Sequence, residues 1–339
     1  MSPISSVKFP FRSTLLLAII GTFAVFLPLF LMRAGIIDPF TTRIITVGGV
    51  NAIMAMSVNM IVGITGQLSL GQAGFMAIGA YSCIFFNLDL GLPLPIAVLC
   101  AASFTAFTGF LIGFPVLKFS GDYLAIVTLG FGEIIRVVFN NLRNITGGPD
   151  GKRFFTEIFF NREYAFVLTT ATLIVILALL MNFLRSSYGR AIMACREDEI
   201  AANASGISTF RYKMTGFVIA AFIAGIGGCL FAIVNGLVRP DAAAFIRSVD
   251  YLIYVVLGGM GSMTGSILAA YSLTYLQEML RFLQDFRLLI YPLILILFML
   301  FRPKGLLGMK EFSFVGTFDK IKSKLFPSKQ KQEVENAQQ

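Results

Sequence analysis

The side chains able to do chemistry in this sequence are few, and they lie among apolar residues. The densest group is Gln67, Ser69 and Gln72, which are interleaved with glycines in the segment Gly66–Gly74. Glycine lets a helix unwind, and a membrane tolerates unwound backbone only where it is buried in protein or lines a cavity. This cluster therefore predicts part of a pathway for a polar solute. The alternative is that its polar groups are hydrogen bonds that tie neighbouring helices together.

Four further polar residues lie inside apolar runs. Asn51 and Asn59 are spaced so that they project from nearly one face of a helix. Glu133 and Arg136 have the spacing of an ion pair on one helix face. Ionisable groups within a membrane span are costly and are often functional. All four residues are therefore candidates for lining the pathway. For Glu133 and Arg136, the alternative interpretation is a buried structural ion pair or a position near the membrane surface.

A charged segment, Arg185–Lys213, separates two long apolar runs and is called the charged loop below. The Ala-rich part Arg190–Arg196 favours a helix. Acidic residues at 197–199 then stand where a second short helix would begin, and Gly206 suits the position just past its end. We expect one or two short helices lying along the membrane surface. They form either a docking surface for a partner or an ordinary connection between spans.

The composition places the chain among integral membrane proteins. Of 339 residues, 57% are hydrophobic and 13% are charged, against about 25% charged in soluble domains. The sequence has no His, which excludes His-based metal sites and His general bases. The net charge of +9 does not indicate nucleic-acid binding, because many of the basic residues follow the last apolar run, where cytoplasmic positive charge fixes orientation.

The apolar runs predict an all-α integral membrane protein, a polytopic bundle of eight to ten transmembrane helices with broken or re-entrant helices. A second glycine-rich break, Gly258–Gly265, interrupts the run Tyr251–Leu280. The distribution of Lys and Arg places both termini and the charged loop in the cytoplasm. The predicted divisions are a cytoplasmic N-terminus at 1–12, a transmembrane region at 13–301 containing the loop at 185–213, and a basic cytoplasmic tail at 302–339.

The sequence contains neither a phosphate-binding loop of the form Gly-x4-Gly-Lys-Ser/Thr nor a Gly-x-Ser-x-Gly nucleophile elbow. Acidic residues within the spans are too few for an evident proton relay. These absences favour a protein that moves a solute but does not power the movement. They argue against a stand-alone secondary transporter and against a membrane enzyme such as an acyl transferase, the two alternative classes.

Five motifs occur in one order and together resemble the LivM-type permease subunit of branched-chain amino-acid ABC importers. The resemblance covers roughly Thr41 to Met309. Related permeases for urea, other amides or neutral amino acids are the alternative within this resemblance. The motifs are Gly66–Phe75, Thr146–Gly151, Arg196–Gly206, Gly258–Ser262 and Arg302–Leu306.

The resemblance implies a bacterial inner-membrane subunit that works by alternating access. Its partners would be a homologous LivH-type permease, two cytoplasmic ATPases that use ATP and Mg, and an extracytoplasmic solute-binding protein, with no cofactor bound by this chain. The resemblance implies that the ATPase docks on a motif of importer permeases in which Glu-Ala-Ala is followed, after three further residues, by Gly. In this sequence Ile200 stands at the position of the Glu, and Glu199 precedes it. The docking residues implied are Arg196, Glu197, Asp198, Glu199, Ile200, Ala201, Ala202 and Gly206.

Overall fold

The computed structural model describes residues 38–119 and 121–302, together with residues 26, 28–30, 32, 305, 306 and 308. The predicted first span, Thr14–Met32, lies almost entirely outside these residues, as do the N-terminal segment and the basic tail. Within the described residues the chain is an all-α polytopic membrane protein, which confirms the predicted fold class.

The long helices follow the predicted apolar runs. In chain order they are α1 (Pro39–Asn59), α2 (Gln72–Ile84), α3 (Leu94–Val116), α4 (Asp122–Asn141), α7 (Arg162–Arg185), α10 (Thr209–Asn235), α11 (Phe245–Gly258), α12 (Met263–Met279) and α13 (Arg287–Phe301). The short helices are α5 (Arg143–Thr146), α6 (Glu157–Phe160), α8 (Ser187–Glu197) and α9 (Glu199–Ala204).

In the described residues, four helices are long and apolar enough to cross a membrane: α1 with its extension to Ile64, α3, α7 and α10. Helices α11 and α12 meet the same test only together, and they are bent by 120° at the break between them. The predicted broken helix in this region is therefore present. A total of eight to ten crossings would also require the shorter helices and stays a prediction.

Each predicted break contains non-helical backbone, although the last residues of each segment are helical. Helix α1 ends in a wider π-helical turn at Met60–Ile64, and the backbone is irregular from Thr65 to Gly71. The second break occupies residues 259–262, between α11 and α12. Gly66, Gly259 and Gly261 have φ values of +70°, +110° and +92°. L-residues with a side chain rarely adopt such values, so these glycines allow the chain to turn there.

The core forms where α10 packs against α1, α2 and α3. Residues Ala52–Met56 of α1 are completely buried, as expected for a helix surrounded by other helices. Glycines permit the closest contacts: a Cβ at Gly79 would overlap the backbone of Gly225, and one at Gly228 would overlap the Met76 carbonyl. Small residues are what membrane helices use to approach one another.

A short two-stranded sheet lies at the end of α10, on the side away from the charged loop. Strand β1 (Lys152–Arg153) pairs antiparallel with β2 (Leu237–Val238). The turns before β1 use Gly147, Gly148 and Gly151, all with positive φ. Positive φ at these glycines lets the chain turn tightly between α5 and β1.

Candidate functional site

The charged loop folds into two short helices, as predicted. Helix α8 buries Ile192 and Cys195 against the bundle, and burial raises the pKa of the Cys195 thiol above its usual value. Asp198 caps the start of helix α9, where its carboxylate accepts hydrogen bonds from the backbone N–H groups of Ile200 at 2.9 Å and Ala201 at 3.0 Å. An acidic cap of this kind satisfies the free N–H groups of a helix start.

The exposed face of α9 carries an apolar side chain. Ile200 is 83% exposed, whereas Ala202 is buried on the opposite face. Glu199 forms an ion pair with Lys213 of α10, so its carboxylate is held against the bundle. Gly206, with φ +81°, ends the helix as predicted. Ile200 is therefore an apolar side chain that α9 exposes to solvent.

Arg196 connects the charged loop to both glycine-rich breaks. Its guanidinium donates a hydrogen bond to the Gly63 carbonyl at the end of α1. A Cβ at Gly66 would lie 2.8 Å from Arg196 Cγ, and one at Gly261 would lie 3.3 Å from Arg196 Nη1. The arginine thus lies where the charged loop meets both breaks. The resemblance implied that Arg196 is a docking residue, whereas in the structure its side chain contacts the two breaks.

The two breaks also contact each other directly. Asn59, which is completely buried, accepts a hydrogen bond from the Gly261 N–H at 2.8 Å and donates one to the Met263 sulfur at 3.6 Å. A Cβ at Gly63 would overlap both Asn59 Oδ1 and the Gly261 nitrogen. Asn59, a pathway candidate, therefore joins α1 to the second break. Sequence reasoning did not identify Gly63, because a single glycine in an apolar run carries no signal of its contact.

The polar residues of the first break are buried. Gln67 accepts a hydrogen bond from the Thr65 hydroxyl at 3.1 Å, and the amide of Gln72 donates to the Ser57 hydroxyl at 3.0 Å. Within the described residues, the Ser69 hydroxyl and the Gln72 carbonyl oxygen have no hydrogen-bond partner. The bond from Gln72 to Ser57 matches the alternative in which such residues hold neighbouring helices together, whereas the bond of Gln67 is local to the break.

Glu133 and Arg136 pair as predicted, at 2.7 Å. The other carboxylate oxygen of Glu133 accepts a hydrogen bond from the Phe245 N–H at 3.0 Å, and Arg136 lies 3.7 Å from the carboxylate of Asp241. Both contacts hold the segment that begins α11 against α4. The ion pair is half-exposed, and its contacts are those of a structural pair that holds two segments together.

Asn51 is the pathway candidate that faces open space. Its amide donates to the Thr274 hydroxyl at 2.9 Å, and both residues line a cavity of about 350 Å³ between α1, α10, α11 and α12. The spacing of Asn51 and Asn59 places them on one helix face, but Asn59 lies deeper, toward the charged loop, in contact with the second break. In the residues that the structure describes, no cluster of His, Cys, Asp and Glu could hold a metal ion.

Residues 40–301 match the family described as the branched-chain amino acid transport system / permease component. Over 313 residues the chain is 41% identical to the high-affinity branched-chain amino acid transport system permease protein LivM of Escherichia coli K12, covering 83% of this chain and 72% of the relative. LivM of Salmonella typhimurium is 40% identical over 309 residues, with the same coverage.

More distant similarity extends to permease proteins named LivH. LivH of Escherichia coli K12 is 33% identical over 153 residues, which cover 43% of this chain and 47% of the relative. No solved structure matches the chain.

Proposed function

Because the chain belongs to the family of permease components of branched-chain amino-acid transport systems, we propose that it is the membrane-spanning subunit of an ATP-driven importer for branched-chain amino acids. It carries the solute across the membrane and has no enzymatic activity of its own. The charged loop supports this proposal most strongly, since it ends in a capped helix whose exposed apolar side chain, Ile200, suits a protein partner better than water.

The proposed assembly contains four other subunits. A homologous LivH-type permease pairs with this chain in the bacterial inner membrane, and the partial similarity to LivH supports a pair of related permeases. Two cytoplasmic ATPases bind ATP and Mg, an extracytoplasmic binding protein delivers the amino acid, and this chain binds no cofactor. The charged loop and both termini lie in the cytoplasm in this arrangement, as the Lys and Arg distribution predicts.

The mechanism follows from the connection between the loop and the breaks. Closure of the ATPase pair on ATP displaces α8 and α9 as a rigid unit. Arg196 transmits the displacement to the Gly63 carbonyl, and the contact between Gly63 and Gly261 extends it to the second break. Irregular backbone at both breaks lets α1, α11 and α12 change direction without unwinding regular helix, which opens one side of the pathway and closes the other.

Two variants of the loop test the proposed docking surface. The double change Glu199→Lys with Gly206→Val alters its charge and shape. The single change Ile200→Glu removes the exposed apolar contact, and burial of one such side chain contributes about 1.5–3 kcal/mol, which corresponds to a loss of roughly tenfold or more in association with the ATPase. Ile145→Glu is the matched control, because Ile145 is also exposed but follows α4 on the opposite side.

The measurement is co-purification of the ATPase with each variant, followed by uptake of labelled leucine. Both loop variants should lose the ATPase and the uptake together, while Ile145→Glu retains the ATPase. Unchanged association and uptake in the loop variants would refute the docking proposal. Competition by unlabelled leucine, urea and glutamate identifies the substrate class, and inhibition by urea alone would exclude branched-chain amino acids as the cargo.

A further inference from the structure

The cavity lined by Asn51 extends deep into the bundle. It reaches from Phe40 and Arg43, near the start of α1, to Asn51. At 1.5 Å per residue this is about 16 Å of helix, roughly half of the ~30 Å hydrocarbon core of a membrane. The end of α1 that contacts Arg196 is the other end, so the cavity opens on the side opposite the charged loop.

The walls of the cavity combine both signs of charge with an apolar surface. Arg43, Arg247 and Asp250 line it, and in the part of the chain that the structure describes none of the three forms a hydrogen bond or ion pair through its side chain. Glu278 is different, because it is bonded to Arg281 at 2.7 Å. The apolar wall is formed by the side chains of Ile44, Val47, Val50, Phe231 and Val234.

Arg43 and Arg247 are exposed at the mouth of the cavity, whereas Asp250 is half-buried one turn further in. A half-buried carboxylate that has no hydrogen-bonded cation is costly, and a ligand that brings an ammonium group would offset that cost. Arg247 precedes Asp250 by about one helical turn, so the two groups project from one face of α11. This places a cation and an anion side by side, as the ammonium and carboxylate of an α-amino acid require. The volume of about 350 Å³ lies at the lower end of the roughly 300–1,000 Å³ range of ligand pockets.

We propose that this cavity is an α-amino-acid-binding site on the translocation pathway, in which Asp250 accepts the ammonium group, Arg247 binds the carboxylate and the valine-rich wall contacts the side chain. Asn51 and Thr274 close its inner end through their mutual hydrogen bond. Arg43, on the facing helix, adds positive charge at the mouth. This assignment rests on the proposed importer function and names the residues that would meet its cargo.

The test uses the complete transporter, reconstituted in lipid vesicles with its binding protein. Asp250→Asn and Arg247→Gln keep the approximate shape of each side chain and remove its charge. Each should lower the initial rate of labelled leucine uptake by about tenfold or more, since charge-assisted hydrogen bonds are among the strongest polar contacts. Stimulation of ATP hydrolysis by the binding protein should stay within about twofold of wild type, while Asp250→Glu restores part of the uptake.

Asp122→Asn is the matched control, because Asp122 is exposed in the first turn of α4 and does not line the cavity. A wild-type complex that fails to take up leucine refutes the proposed function itself. If the wild-type complex takes up leucine and the Asp250→Asn and Arg247→Gln complexes take it up equally well, only the proposed site is refuted.

A second variant decides the question if the charge variants do not assemble. Val47→Cys places a thiol on the apolar wall, and a bulky thiol reagent added to the assembled complex should then block leucine uptake. The wild-type complex treated with the same reagent is the control, since Cys83, Cys195 and Cys229 are buried and Cys100 is half-buried. Full uptake after complete labelling of the introduced thiol would overturn the assignment.

Discussion

The contact between the two breaks predicts a specific effect of Gly63→Ala. The added Cβ would overlap Asn59 Oδ1 and the Gly261 nitrogen, and overpacking of this kind costs about 1–3 kcal/mol. Relief of the overlap separates Asn59 from the Gly261 N–H, and a buried polar group left without its partner costs about 1–3 kcal/mol. The expected total is therefore about 2–6 kcal/mol of stability.

Gly130→Ala is the matched control, because Gly130 is also helical but a Cβ there would meet no atom within 4 Å. Alanine is a better helix former than glycine, so the control should be neutral or stabilised by up to about 1 kcal/mol. The assay is thermal unfolding of the purified chain in detergent. Gly63→Ala should unfold roughly 3–8 °C below wild type, and Gly130→Ala at or above it.

If the Gly63→Ala protein unfolds at the same temperature as the Gly130→Ala protein, the two breaks do not pack as described. The same variant separates packing from coupling. If a Gly63→Ala complex is stable and binds its ATPase but no longer takes up leucine, the contact between the breaks is needed for movement as well as for stability.

Three further outcomes concern the charged loop. Arg196→Ala should leave the ATPase bound but lower leucine uptake per ATP hydrolysed, since the loop loses its hydrogen bond to Gly63; unchanged coupling would contradict the proposed role. Asp198→Ala should destabilise α9 by about 1 kcal/mol and weaken ATPase co-purification, whereas Asp198→Asn, which keeps a cap, should not. Burial raises the pKa of the Cys195 thiol, so at pH 8 less thiolate forms than in a free cysteine and maleimide labelling of Cys195 is slower. Arg196→Ala should accelerate the labelling of Cys195. Equal labelling rates in the wild-type and Arg196→Ala proteins would show that the arginine does not hold the loop.

The sequence could predict the features that depend on neighbouring residues. The start of α9 at Asp198 follows from the preference of helix starts for acidic groups, and the positive φ of Gly206 follows from the freedom of glycine. The ion pair of Glu133 and Arg136 follows from helical spacing. Both glycine-rich breaks were predicted, because Gly clusters and polar groups interrupt otherwise apolar runs.

The sequence could not predict which side chains meet across the bundle. Arg196 looked like part of an exposed docking surface, and only the packing of α8 against the breaks turns it inward. Asp250 and Arg247 were not among the candidate residues, because their position in one cavity with Asn51 and Thr274 depends on how α11 and α12 fold back against α1. Contacts between residues far apart in sequence are set by tertiary packing rather than by local pattern.

Uptake into lipid vesicles tests the central claim most directly. The complete complex of this chain with its companion permease, ATPases and binding protein should accumulate labelled leucine when ATP is supplied to the ATPase side, and the ATP analogue that is not hydrolysed should support none. Vesicles that hold this chain alone should show no uptake under an ion gradient. Gradient-driven uptake by the chain alone, or ATP-independent accumulation by the complex, would contradict a permease that depends on its docking loop for power.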